Sequence, residues 1–144
     1  MKFQGILCAL ALLGTATFTA TVADAHEYYV TGMTVVHPWG EATAPGATSA
    51  PIYFTVDNVT RADRIVRVVT PLAETVEFRD AGPDGKPPLK SLAIKPGDTA
   101  FTAGKRHLLL KGLKMPLEWG RSYEMLLMFE KGGPLQVQVS IGAH

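Results

Sequence analysis

Four histidines carry most of the chemistry that this sequence offers, and the position of His26 is the most unusual. It directly follows Ala23-Asp24-Ala25, and small residues spaced in this way are typical of a signal-peptide cleavage site. Cleavage there makes His26 the first residue of the mature protein. A terminal histidine offers a metal ion its free α-amine and its ring Nδ1, and a second imidazole completes a three-nitrogen histidine brace. Amine and imidazole nitrogens suit Cu(II).

The segment before this histidine has the features of an export leader. Lys2 supplies a short positive start, and Ile6–Leu13 form an apolar stretch. We therefore expect residues 1–25 to be a signal peptide that is removed on export, and residues 26–144 to form one domain. The only cysteine, Cys8, lies in the leader, so the mature chain has no disulfide. No apolar run after the leader approaches the roughly 20 residues that span a bilayer.

Charge and motifs exclude several classes of function. The net charge is only +1, which gives no electrostatic sign of a nucleic-acid partner or of an anionic membrane surface. The sequence has no Gly-x-Ser-x-Gly nucleophile elbow, no His-Glu-x-x-His zinc motif and no phosphate-binding glycine loop. We therefore expect a binding protein and not an enzyme.

The hydrophobic pattern after the leader is that of short β-strands separated by turns rich in glycine and proline. The predicted strands are Tyr29–His37, Ile52–Val56, Arg64–Thr70, Thr75–Asp80, Leu89–Ile94, His107–Lys111, Tyr123–Phe129 and Leu135–Ile141. No convincing helix is present. About eight strands at this spacing predict an antiparallel all-β sandwich or small barrel.

A series of sequence blocks extends this prediction to a family. The blocks are Val35–Trp39, Ala42–Ala47, Ala50–Asn58, Asp63–Val66, Pro71–Glu77 and His107–Leu117, with a closing strand from Leu126 to Val139. Taken in order, they resemble the periplasmic copper chaperones called PCuAC over residues 33–141. The resemblance implies a cupredoxin-like Greek-key sandwich or barrel.

The ligand positions of that family are mostly changed in this chain. Members usually hold Cu(I) with two histidines and several methionine thioethers, whereas Arg79, Ala81 and Leu109 stand at three of those positions. Of the usual ligand set, His107 remains. The resemblance therefore implies either that metal binding is lost or that the site is rebuilt, and a new terminal His26 favours rebuilding. This combination resembles family members from methane-oxidising bacteria that hold Cu(II) through a histidine brace.

We expect one Cu(II) ion to be bound by His26 and His107, with a carboxylate oxygen of Asp80 as an outer or axial ligand. His37 competes with His107 as the second imidazole, although its place before Pro38-Trp39 also suits a capping or packing role. Asp80 has an alternative role as a solvated turn residue.

Three further residues bear on this expected site. Met33 is a candidate axial ligand, although the strand spacing of most methionines suits the core. His144 is the last residue of the chain and is a weak candidate. A fixed positive charge at Arg79 argues against a metal ion at the family's usual location.

The function expected from these residues is copper storage, or copper delivery to a membrane copper enzyme or its assembly factor. Two alternatives stay open. One is a metal-free adaptor that binds another exported protein. The other is a small copper oxidase or monooxygenase, because histidine braces also occur in oxygen-activating copper enzymes.

Overall fold

The computed structural model describes Gly14, residues 26–81 and residues 86–142. The predictions for the signal peptide and its cleavage site and for His144 lie outside the described residues, apart from Gly14. In the described part of the chain, no helix is long and apolar enough to cross a membrane.

The described residues form ten β-strands and no α-helix. The strands are β1 (Glu27–Val30), β2 (Met33–Gly40), β3 (Ser49–Asp57), β4 (Asp63–Val69), β5 (Ala73–Arg79), β6 (Leu92–Ile94), β7 (Ala100–Phe101), β8 (His107–Leu113), β9 (Ser122–Phe129) and β10 (Gly133–Ile141). The all-β prediction is confirmed.

The strands lie in the order β5-β8-β3-β2-β10-β9-β4-β6, with β1 paired to β2 and β7 paired to β3. Neighbouring strands are antiparallel, except that β2 and β10 make a short parallel pair through Trp39 and Gly40. This sheet bends around one core, and β3 illustrates why. Its alternate residues Ala50, Ile52 and Phe54 are buried, while the residues between them are partly exposed.

The first predicted strand, Tyr29–His37, was wrong, because the structure makes a tight hairpin of β1 and β2 there. Gly32 at its turn has a φ of +96°, a left-handed conformation that favours glycine. A side chain at this position would also meet Arg61, since an added Cβ lies 2.9 Å from the Arg61 Cγ. The hairpin brings the beginning of β1 alongside the far half of β2.

A buried carboxylate joins two loops on the side of the barrel near this hairpin. Asp63 is only 6% exposed, and its oxygens accept the backbone N–H groups of Arg64 at 2.8 Å, Lys131 at 2.9 Å and Gly132 at 2.8 Å. Burial alone would raise the pKa of Asp63, but these three hydrogen bonds and the nearby positive charge of Arg61 together outweigh it and hold that pKa below its ordinary value. The β9–β10 turn is thereby fixed to the start of β4.

Replacing Asp63 by Asn is expected to lower the free energy of unfolding by about 2–4 kcal/mol, because an amide oxygen replaces a charged acceptor and the amide NH₂ faces backbone donors. Urea unfolding at pH 7 measures this loss. The folded pKa lies below the unfolded value of about 3.9, so this carboxylate stabilises the fold above about pH 4 and less as pH falls further. The variant is expected to lose less stability than the wild type between about pH 5 and 3, and parallel losses in both proteins would contradict this role.

Candidate metal site

His26 lies immediately before β1, and the pairing of β1 with β2 brings it alongside His37. The backbone N–H of His37 donates to the carbonyl oxygen of His26 at 2.5 Å, which continues the ladder beyond the Glu27–Val36 pair. The centroids of the two imidazole rings are 4.7 Å apart, with their planes at 70°. Both side chains are partly buried. Two imidazoles therefore meet where the first strand begins.

A β-bulge shapes the backbone on the His37 side of this contact. The register between β2 and β3 shifts between Val36 and Trp39, so one extra residue of β2 is accommodated there. His37 has a φ of +46°, which is uncommon for a residue other than glycine. Such conformations cost about 1–3 kcal/mol and occur often at functional sites. The bulge thus holds His37 in a conformation that regular strand pairing would not produce.

His107 lies on another part of the sheet, at the first residue of β8. Its Nδ1 is 2.8 Å from the carbonyl oxygen of Lys105. A carbonyl oxygen only accepts hydrogen bonds, so the proton of a neutral ring lies on Nδ1 and its Nε2 is the nitrogen with a lone pair. The ring of His107 also contacts Tyr53, with centroids 5.6 Å apart, and Tyr53 contacts Trp39 at 5.0 Å.

The strand order separates the two predicted histidine ligands. From β1 to β8 the path crosses β2 and β3, so His26 and His107 are three strand positions apart, about 14 Å when measured along the sheet at about 4.8 Å per strand. Arg79 is the direct register partner of His107 across β5 and β8. Its guanidinium donates to Glu77 at 3.2 Å and to the carbonyl of Lys86 at 3.0 Å. A fixed positive charge therefore lies next to His107.

Asp80 is exposed and follows the last residue of β5. Its Oδ1 accepts the backbone N–H of Ala81 at 2.8 Å, as expected of a carboxylate in a solvated turn. Within residues 26–81 and 86–142, no three or more His, Cys, Asp and Glu side chains are grouped closely enough to hold a metal ion. The structure therefore does not bring His26, His107 and Asp80 together as one ligand set.

Charge differs between the two ends of this surface. Burial raises the pKa of Tyr53, and the negative charge of Glu41 raises that pKa further, so Glu41 acts on the surface near Trp39 and Tyr53. Glu27 directly follows His26. Tyr53 contacts His107, and Glu77 forms a salt bridge with Arg79, so carboxylates act near both ends of this surface. The guanidinium of Arg79 lies beside His107. This guanidinium disfavours a cation at the His107 end, to the extent that Glu77 leaves its charge uncompensated.

The candidate axial ligand Met33 lies in the core. Met33 is 4% exposed and packs in the hydrophobic core, as its strand spacing indicated. Met125 is also buried, whereas Met115 is exposed after the end of β8. These positions give no thioether cluster around His26 and His37.

The sequence contained one signal for the His26–His37 contact. It was missed because Tyr29–His37 was predicted as a single strand. Thr31-Gly32 has turn chemistry, and a two-residue hairpin turn there pairs Val30 with Met33. Counting outward along both strands then sets residue 26 opposite residue 37. A hairpin prediction would therefore have identified His37 as the imidazole nearest to the terminus.

The chain matches the LpqE-like family over residues 33–141, which is most of its length. It belongs to this family. The predicted resemblance to PCuAC domains is also confirmed. The copper-bound PCuAC domain from PmoF2 shares 28% identity with this chain over 83% of this chain and 99% of its own length, and superposes with a TM-score of 0.72.

Two further structures are similar to this LpqE-like chain. The apo PCuAC domain from PmoF1 shares 31% identity over 83% of this chain and 100% of its own, with a TM-score of 0.69. The Cu(I) form of DR1885 from Deinococcus radiodurans shares 25% identity over 85% of this chain and 84% of its own, with a TM-score of 0.64. No curated protein sequence is significantly similar to this chain.

Proposed function

We propose that this protein binds one Cu(II) ion in the periplasm through a histidine brace that begins at His26. In this proposal the protein stores copper or delivers it to a membrane copper enzyme or its assembly factor, and it is not itself an enzyme. The observation that carries the proposal is the 4.7 Å contact between the rings of His26 and His37. Similarity to a copper-bound PCuAC domain supports copper as the ion.

The number of ligands is consistent with this pair of residues. A brace takes three nitrogens from two residues, because the terminal histidine supplies both its α-amine and its ring. The lack of a three-residue group among the described side chains is therefore compatible with a brace, although it is incompatible with a site built from three separate side chains. Removal of the predicted signal peptide after Ala25 is needed to free the amine.

The surroundings favour His37 over His107 as the second imidazole. The His37 ring contacts the His26 ring, whereas His107 is about three strand spacings away and is paired with Arg79. A cation bound near His107 would be repelled by that guanidinium, although the salt bridge of Arg79 to Glu77 reduces this repulsion. The proposal therefore prefers His37 to His107 as the second imidazole, whereas the sequence favoured His107.

The donor atoms also support Cu(II) as the oxidation state. Hard and borderline nitrogen donors favour Cu(II), and thioethers are what favour Cu(I). Met33 and Met125 are buried in the core, so they offer no sulfur to a surface site without rearrangement. DR1885 has a similar fold but is described with Cu(I), so in this proposal the two proteins bind copper in different oxidation states.

The proposal is tested by titrating protein that begins at His26 with Cu(II) in competition with a chelator of known affinity. We expect one ion per chain and a preference for Cu(II) over Zn(II), following the usual order of divalent affinities. His26→Ala serves as the control and is expected to abolish tight binding. Absence of tight binding by the wild type would instead support the metal-free adaptor.

A further inference from the structure

The short strand β1, which directly follows His26, pairs with β2 on the side away from β3. Thr34–Val36 of β2 pair with β1 on one side and with β3 on the other. Further along β2, Trp39 and Gly40 pair with β10. A hairpin of two strands is marginally stable by itself. The order of β1 therefore depends on contacts that join it to other parts of the barrel.

One such contact is a hydrogen bond from β10 to the side chain of Tyr28. The Tyr28 hydroxyl oxygen accepts the backbone N–H of Gln138 at 3.1 Å, and the Tyr28 ring packs against the hydrophobic core. Gln138 precedes Ser140 and Ile141, the two residues of β10 that pair with β2. The hydroxyl therefore provides an acceptor where β2 and β10 are no longer paired. We call this contact the Tyr28 latch.

The latch acts on the face of β1 that carries His26. Side chains of a strand alternate between its two faces, so residues 26, 28 and 30 share one face. All three are partly buried, whereas Glu27 and Tyr29 are exposed. Two residues before the latch, the carbonyl oxygen of His26 accepts the backbone N–H of His37. Holding Tyr28 against β10 therefore also restrains the backbone that places His26 beside His37.

The other end of β1 is fixed by separate contacts. A Cβ added to Gly132 would lie 2.6 Å from the Val30 Cγ2, so Val30 packs closely against the β9–β10 turn. The backbone N–H of Thr60 donates to the carbonyl oxygen of Gly32 at 2.9 Å. These contacts do not involve the Tyr28 hydroxyl. Loss of that hydroxyl is therefore expected to release the beginning of β1 while the hairpin turn stays in place.

We infer that Tyr28 is a positioning residue, which holds His26 against His37 before a metal ion binds. Tyr28 acts through the backbone of β1 and is not itself a ligand. Where it concerns copper, the inference rests on the proposed brace. The apparent affinity of a site falls in proportion to the fraction of the protein that is competent to bind. The latch raises affinity because it raises the fraction of molecules in which the two imidazoles are already in contact.

Hydrogen exchange in the metal-free protein that begins at His26 tests the latch itself. Tyr28→Phe removes only the hydroxyl. Tyr29→Phe is the matched control, because Tyr29 is 72% exposed and its hydroxyl donates to Glu27 within the same strand. We expect the His37 amide to exchange at least about threefold faster in Tyr28→Phe and at an unchanged rate in Tyr29→Phe. Equal rates in the two variants, or equal acceleration of the amides of β9, would overturn the inference.

Competition titration of the same three proteins with Cu(II) tests the effect on the site. We expect Tyr28→Phe to bind about threefold more weakly than the wild type and Tyr29→Phe to bind equally well. The electron paramagnetic resonance spectrum of Tyr28→Phe is expected to show the same number of nitrogens as the wild type, because no ligand is removed. Equal affinity of Tyr28→Phe and the wild type would overturn the positioning role. A wild type without tight Cu(II) binding would refute the proposed function, and the exchange rates would still decide whether the latch holds His26.

Discussion

Acetylation of the His26 α-amine in the mature protein is expected to lower Cu(II) affinity by at least about a hundredfold, or about 2.8 kcal/mol at 1.4 kcal/mol per decade. The proposed brace uses this amine and the ring of the same residue to close a chelate around one ion. An acetylated nitrogen no longer donates a lone pair, although the ring and its contact with His37 stay in place. Competition titration of the two forms measures the difference.

An acetyl group is the suitable block because it adds no nitrogen of its own. Retaining Ala25 would instead supply a new α-amine and a new amide beside the His26 ring, and those atoms can bind copper in a different way. The acetylated protein must keep the unfolding temperature of the free form. Equal Cu(II) affinity in the two forms would refute a brace at His26.

Removing the His37 imidazole is expected to weaken Cu(II) binding by at least about tenfold, while removing the His107 imidazole changes it by less than about threefold. The reason is that the ring of His37 contacts the ring of His26. His107 instead lies on another strand, where it is paired with Arg79. Isothermal competition titrations of both variants, each beginning at His26, measure the two changes.

The choice of substitution matters because His37 has a positive φ. Alanine would add backbone strain there, whereas asparagine tolerates left-handed conformations and lacks an imidazole. His37→Asn and His107→Asn are therefore the matched pair. A stronger loss in His107→Asn would move the second imidazole to His107, and no loss in either variant would leave the proposed site without its second histidine.

The fold was largely predictable because its signals are local. Alternating burial in β3, with Ile52 and Phe54 inward, follows from the period of a strand, and so do β8 and β9. Two short strands were missed. β1 was merged with β2, and β7 has only two residues, Ala100 and Phe101, which is too short for any periodic pattern.

The site was less predictable because it depends on pairing between strands. The sequence indicated His26 from a cleavage pattern, but the identity of its neighbour depends on the hairpin at Gly32 and on the bulge at His37. Neither has a periodic signal. The sequence did show that Arg79 had replaced a family ligand, but its alignment with His107 follows only from the β5–β8 register.

The most direct test of the proposed copper site is the electron paramagnetic resonance spectrum of the Cu(II)-loaded protein that begins at His26. Nitrogen hyperfine structure counts the coordinating nitrogens, and the brace predicts three. His37→Asn is expected to remove one of them, while His107→Asn is expected to leave the pattern unchanged. A spectrum without nitrogen coupling, or one that is the same with and without His37, would contradict a brace formed by His26 and His37.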